Sequence, residues 1–295
     1  MSQLSIETPA VEKRSPAPQA EPKPYKILKQ RSGWQALNVR ELWQFRDLLV
    51  MFAQRDLRLR YKQTILGVAW VVLQPLISAA ILAFVFGRVA KLPGPANVPY
   101  FVFTYVGMIA WTLFSTTLTK SSGSLVGNAN LVTKVYFPRL VLPLSTVLSS
   151  LLDFGVALLM LVPIELMNHV KPGASLLLLP IWVGLVLMLA TGIGLHAASL
   201  MVSYRDIQHI LPVATMFLMF ASPVAYTISG ISGKTKLLYT LNPITGILEG
   251  FRWSLLNTGT PQAGVLAYSA IFSFIVFVWG AYSFRRMERK FADVI

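Results

Sequence analysis

Residues 63–87 run for 25 positions without a charged side chain. At 1.5 Å per residue a helix of that length is about 37 Å long, enough to cross the ~30 Å hydrocarbon core of a bilayer. Further apolar stretches follow at 100–119, 144–167 (interrupted by Asp153 and Glu165), 176–204, 210–229 and 264–284. The fourth is a run of 29 uncharged residues. Charged residues make up 13% of the chain and hydrophobic ones 55%, where a soluble domain carries about 25% charged residues. A soluble globular protein is thereby excluded, and so is disorder for the bulk of the chain. The sequence predicts an all-α polytopic membrane protein with six transmembrane helices, at about 65–87, 100–119, 144–167, 176–202, 210–229 and 264–284.

Charge position sets the orientation. The chain holds 26 Lys and Arg against 12 Asp and Glu. Twelve of the basic residues precede residue 64, and four lie in the last eleven positions. Six spans with both termini inside place 20 basic residues in cytoplasmic segments and 6 outside (Arg88, Lys91, Lys171, Lys234, Lys236 and Arg252). This is the bias of the positive-inside rule. The +14 charge therefore reads as topology, and no nucleic-acid partner is expected.

Residues 1–33, rich in Pro and polar side chains, are expected to be a disordered cytoplasmic tail. No apolar stretch precedes residue 64, so no signal peptide is expected and the N-terminus should stay in the cytoplasm. Residues 34–62 are expected to hold an amphipathic interfacial helix. Leu42, Phe45, Leu48, Leu49, Phe52 and Leu59 share one arc, with Arg55, Arg58 and Lys62 on a neighbouring stripe. Asp56 intrudes on the apolar arc and calls for an Arg partner. The helix reads either as a lipid-surface anchor or as a surface that also meets a cytoplasmic partner. Residues 63–284 form the transmembrane domain, and 285–295 a basic cytoplasmic tail. Pro75, Pro163, Pro212 and Pro223 fall in or at the ends of spans, where neighbours can satisfy the freed carbonyls.

Enzyme chemistry finds no constellation. Ser232, Gly233, Lys234 and Thr235 imitate the end of a phosphate-binding loop, but the required first glycine is Ile228 and no strand precedes it. His169, His196 and His209 are scattered without metal-ligand spacing. Zero Cys excludes disulfides and thiolate sites. Asp153 and Glu165 stand 12 positions apart, about 18 Å along one helix, too far for a carboxylate pair. Asp153 is the one clearly intramembrane acid. It should face protein or water and be paired or protonated, in a functional or a structural role. A single such acid speaks against a proton-coupled carrier.

Two loops on the cytoplasmic side attract attention. Between the second and third spans, Asn128 or Asn130 can N-cap a short helix that Pro138 ends near Tyr136. Such a helix is stiff enough to carry force from a soluble partner. Between the fourth and fifth, Tyr204, Arg205 and Asp206 form a tight turn, with Arg205 placed to pair with Asp206 and cap the helix ends.

The stretch from about 34 to 290 resembles the ABC-2-type permeases that export lipid-linked polysaccharides such as O-antigen, teichoic acid and capsule. The resemblance rests on RDLRLRYK over 55–62 with Leu66, Gly67 and Trp70, on NLVTKVYFPR over 130–139, and on YRDI over 204–207. It continues through SPVAY over 222–226, Asn242–Pro243 and EGFR over 249–252. It implies a homodimer with two copies of a separate ATP-binding subunit, in the bacterial cytoplasmic (inner) membrane. This chain would hold no cofactor, ATP and Mg belonging to the partner, and would not be an enzyme. Asn128, Asn130, Lys134, Tyr136, Phe137, Pro138, Arg139, Tyr204, Arg205 and Asp206 would form the coupling surface, with Tyr136 and Phe137 filling a groove in the ATPase. The first and fifth spans would line the path, and residues 230–262 would form short external helices that re-enter the membrane surface. The cargo implied is a polyprenyl-diphosphate-linked glycan, with O-antigen favoured.

The residue chemistry agrees with that implication without requiring it. Trp70, Phe84, Phe86, Phe217, Phe220 and Tyr226 could stack on sugar faces or simply meet lipid. Arg55, Arg58, Arg60 and Lys62 could receive a diphosphate headgroup or attract anionic lipids. A permease for a small drug or lipid, and a membrane assembly protein that transports nothing, stay open as alternatives.

Overall fold

Ten helices carry all the regular structure of the described residues apart from short 3-10 and π turns. The computed structural model describes residues 43–62, 67–95, 97–135, 137–228 and 233–288, with the backbone alone at 60 and 61. All lie in one compact unit, Ala36–Ile295. The 1–33 tail, the 63–66 linker and the end of the chain after Glu288 lie outside the described residues.

Helix α1 (Arg46–Tyr61) precedes the bundle. Helix α2 (Ala69–Leu82) continues as a π-helical stretch, Ala83–Val89. Then come α3 (Tyr100–Gly123), the short α4 (Ala129–Lys134) and α5 (Val141–Met167). Helix α6 (Leu179–Ser203) follows a 3-10 turn, Ala174–Leu178. The chain closes with α7 (Ile207–Phe220), α8 (Lys234–Thr240), α9 (Pro243–Leu256) and α10 (Ala263–Glu288). Five of these segments are long and apolar enough to cross a membrane: 69–89, 100–123, 141–167, 174–203 and 263–288. Each agrees with a predicted span to within a few residues. The last runs on through Arg285 and Arg286, residues that the sequence reading assigned to a separate basic tail.

The predicted span at 210–229 is different. Helix α7 has 14 residues, about 21 Å, and does not by itself cross a ~30 Å core. It stops because Pro223 has no N–H and biases Ser222 away from helical backbone. Residues 221–228 then continue in turns. Asn242 caps the start of α9. Its Oδ1 accepts from the Ile244 N–H at 3.0 Å, with Pro243 at the first helical position, where its missing N–H costs nothing. Its Nδ2 donates to Ser222 Oγ at 2.8 Å, tying the end of α7 to the start of α9.

Helix α3 is the hub: every residue from 102 to 111 is buried. Helix α6 packs on it and, more extensively, on α10. The α6–α10 contact closes through glycines. A Cβ on Gly280 would collide with the Gly192 carbonyl, and a Cβ on Gly192 would lie 2.7 Å from the Phe277 backbone. Lipid supplies no hydrophobic drive between spans, so such close backbone packing is what holds them together. Helix α9 sinks among α3, α6 and α10, with eleven of its 14 residues buried. It is an inserted helix rather than a surface one.

Candidate functional site

One end of the bundle gathers α1, α4 and the adjoining ends of α3, α5, α6 and α10. Arg55 organises it. Its Nη2 donates to Asn128 Oδ1 at 2.7 Å and to Asp56 Oδ1 at 2.8 Å, and its guanidinium lies 5.0 Å from the Phe52 ring centroid. Asp56 thus has the Arg partner that the sequence demanded. Asn128 occupies the N-cap position of α4 but makes no capping bond. It receives Arg55 and donates to the Ser124 carbonyl at 2.8 Å, so it works as a strut rather than a cap. Leu59, placed by periodicity on the buried arc, is exposed, because the arc overhangs the bundle edge at the end of α1.

Phe137 turns inward. It is 7% exposed and its ring centroid lies 5.7 Å from that of Phe52. The sequence reading aimed it at a partner's groove; the structure spends it on fixing the 135–140 loop under α1. Pro138 is buried beside it, and Arg139 Nη1 donates to the Glu288 carbonyl at the end of α10 at 2.9 Å. Tyr136 lies outside the described residues. Of the coupling candidates, Asn130, Lys134, Tyr204, Arg205 and Asp206 are exposed. Asp206 holds the N-cap position of α7 without a side-chain capping bond, and the expected Arg205–Asp206 pair does not form among the described residues. Of the four candidate headgroup cations, Arg55 is engaged internally, Arg58 and Lys62 are exposed, and the side chain of Arg60 lies outside the described residues.

Beneath α1 lies a cavity of about 360 Å³ whose lining includes Asp56, Leu59, Lys120, Ser124, Asn128 and Ser149. Lys120 reaches from it to Asp153, Nζ to Oδ2 at 2.9 Å, and to Ser149 Oγ at 3.3 Å. The intramembrane acid is therefore paired. Sequence reading counted Lys120 with the loop. Its place, one residue past an uncharged run and within helical reach of the next span's acid, was the available signal.

The six aromatics divide. Trp70 on α2, Phe84 in the π-helical stretch that continues it, and Phe217 and Phe220 on α7 are exposed on the single chain, Phe217 at 72%. No residue of α7 is buried. Phe86 and Tyr226 instead pack together, ring centroids 6.1 Å apart. Tyr226 also meets Tyr239 of α8 at 5.8 Å. Thus α2 with its π-helical continuation and α7 carry exposed aromatic faces, while Phe86 and Tyr226 join that continuation to the turn after α7.

Arg252, counted from sequence as a loop cation, holds that turn. It is 4% exposed. Its Nη2 donates to the carbonyls of Pro223 (2.6 Å) and Val224 (2.7 Å), and its Nη1 to Tyr226 (3.3 Å). Its guanidinium stacks 3.8 Å from the Phe103 ring centroid. Carbonyls freed where α7 breaks thereby find donors away from water, where an unmet polar group is costly. Gly107 of α3 allows the approach, since a Cβ there would strike the Val224 carbonyl. A cation set among Ile247, Leu248, Phe251 and Leu255, all buried, was the sequence signal for such an anchor.

The residues that build these parts fall within a match to a known family. The model of the ABC-2 type transporter family matches residues 47–256. Over 260 residues the chain is 31% identical to the O-antigen export system permease protein RfbA of Myxococcus xanthus, covering 87% of this chain and 98% of that protein. It is 28% identical over 250 residues to a protein of the same name from Klebsiella pneumoniae, covering 84% and 95%. It is 24% identical over 239 residues to the polysialic acid transport protein KpsM of Escherichia coli, covering 79% and 91%. The matched stretch runs from the start of α1 to the end of α9 and takes in both the clamp and the Arg252 anchor: the chain is a multi-pass membrane protein of the ABC-2 type transporter family.

Proposed function

We propose that this chain is the membrane-spanning permease of an ATP-driven exporter that carries lipid-linked polysaccharide out through the bacterial inner membrane. The observation that carries the reading is end-to-end similarity to a polysaccharide export permease, 31% over 98% of its length. On this reading two copies pair, and two copies of a separate ATPase subunit bind at the end that holds α1 and α4. ATP and Mg bind on that subunit, and this chain holds no cofactor. The basic residues of the flanks make that end cytoplasmic. Trp70, Phe84, Phe217 and Phe220 supply flat apolar faces that stack on successive sugar rings regardless of linkage. Arg58 and Lys62 meet the diphosphate headgroup, which is a polyprenyl diphosphate, with O-antigen as the favoured glycan.

Deleting the chain in its native cell and staining the surface for polysaccharide tests the function. Surface glycan should vanish and lipid-linked glycan accumulate in the cytoplasmic leaflet; unchanged surface glycan rejects the reading. Sidedness is tested with single cysteines, which the absence of native Cys makes simple. A cysteine at Lys234 should react with an impermeant maleimide in intact cells, and one at Lys134 only after lysis.

A further inference from the structure

A second cavity opens at the end of the bundle opposite α1 and α4. It measures about 820 Å³, within the 300–1,000 Å³ typical of sites that enclose an organic ligand. Four separate loops and four helices build it. His169 and Lys171 come from the α5–α6 loop, Asn97 from the α2–α3 loop, and Lys236 from α8. Glu249 and Arg252 come from α9, and the 257–262 loop closes the wall.

The walls are braced. Tyr100 donates to the Ala225 carbonyl at 2.6 Å, Ser175 to the Trp253 carbonyl at 2.8 Å and Tyr268 to the Leu241 carbonyl at 2.9 Å. Asn257 adopts the left-handed conformation after α9, and its side chain sits where a Cβ on Gly173 would be. The opening therefore needs little ordering before it binds, which favours affinity.

The charge is lopsided. Lys171, Lys236 and Arg252 line it with a single acid, Glu249. Burial pushes the Glu249 carboxyl above its usual range, an effect that Arg252 and Lys236 oppose. Arg252 spends its Nη groups on backbone carbonyls, while its buried Nε meets no acceptor among the described residues. A wall of three cations against one acid favours an anionic occupant, bound through charge-assisted hydrogen bonds. The cavity is far larger than a bare phosphate. Its remaining lining includes Asn97, Thr240, Asn257, Thr258 and Gln262, amides and hydroxyls that can both donate and accept, as sugar hydroxyls require.

From this we infer that the cavity is a binding site for a phosphorylated sugar, with Lys171 and Lys236 holding the phosphate and the amide-rich wall holding the ring. Resting on the exporter reading and its sidedness, the site deepens it: the sugar–phosphate end of the cargo is received here once it has crossed. The site is separate from the aromatic faces of α2 and α7.

The test uses the full chain in lipid nanodiscs, with glucose 1-phosphate, glucose and inorganic phosphate as probes in saturation-transfer NMR and competition. Glucose 1-phosphate should bind, and inorganic phosphate should compete at least tenfold more weakly. Glucose should not compete. The K171Q/K236Q variant should bind at least tenfold more weakly at an unchanged unfolding temperature; Arg252 is left intact because it holds the fold. The site is overturned if glucose 1-phosphate does not bind or binds the variant equally well. Inorganic phosphate matching the sugar phosphate overturns the sugar half, and glucose matching it overturns the anionic half. Surface glycan in the deletion strain is scored apart: its persistence defeats the exporter reading whatever the probes do, and its loss without probe binding defeats the cavity alone.

Discussion

Lys120 Nζ lies 2.9 Å from Asp153 Oδ2, joining α3 to α5 inside the apolar bundle. Side-chain exposures of 25% and 10% place the pair mostly out of water. There, removing one partner strands the other's charge and costs about 3–5 kcal/mol, while replacing both by apolar groups is often neutral. Asp153→Ala and Lys120→Ala should each lower the unfolding temperature in detergent, and K120M/D153L should recover most of the loss. A loss in the double variant equal to the sum of the two single losses would show that the two residues are not coupled.

The Arg252 anchor gives a second prediction. Three carbonyls around the break after α7 share its guanidinium. A lysine ammonium is a point charge without the planar fork. Hydrogen bonds from charged groups contribute about 1.5–3 kcal/mol each, so Arg252→Lys should cost about 3 kcal/mol or more. Limited proteolysis should then cut within 221–228. A cut pattern identical to wild type would mean that Ser222 and Asn242 hold the turn unaided.

What the sequence made legible, and what it hid, follow from range. The five long spans are apolar runs with few charges, a local property, and their ends were readable to a few residues. The interruption at Ser222–Pro223 is local too, but hydropathy averaged over it and continued the span to 229. The pairing of Lys120 with Asp153 spans 33 positions and that of Arg252 with Val224 spans 28. Neither has a periodic signature, so both cations were counted as loop charges. Phe137 was assigned outward because it lies in a loop, yet its ring packs on that of Phe52, 85 positions earlier, within a buried apolar cluster.

Packing between α6 and α10 yields a third prediction. The Gly280 position has no room for a Cβ against the Gly192 backbone. Gly280→Leu must push the helices apart along their whole contact, whereas Gly280→Ala asks for a smaller shift. The leucine variant should fail to give a monodisperse peak in size-exclusion chromatography, and the alanine variant should give one with a lowered unfolding temperature. Wild-type behaviour of the leucine variant would show that this contact is not close-packed in the bilayer.

The last prediction separates fold from coupling at the proposed ATPase surface. Phe137 is buried on Phe52, and truncating a buried Phe to Ala costs about 3–5 kcal/mol. Its loss should loosen the loop between α4 and α5 and the seat of α1. Lys134, at the end of α4, is exposed, and surface changes of this kind usually stay within about 0.5 kcal/mol. Phe137→Ala should therefore lower the unfolding temperature and weaken ATPase association together, with Phe137→Leu restoring both in part. Lys134→Glu should leave the unfolding temperature alone and still weaken association, most at low salt, because a rim charge acts chiefly through electrostatic steering. Both quantities can be read from one preparation, as the unfolding temperature of the purified permease and the ratio of ATPase subunit that co-purifies with it. If Phe137→Ala weakens association at an unchanged unfolding temperature, the ring meets the partner directly and its place against Phe52 is not the one adopted in the assembled exporter.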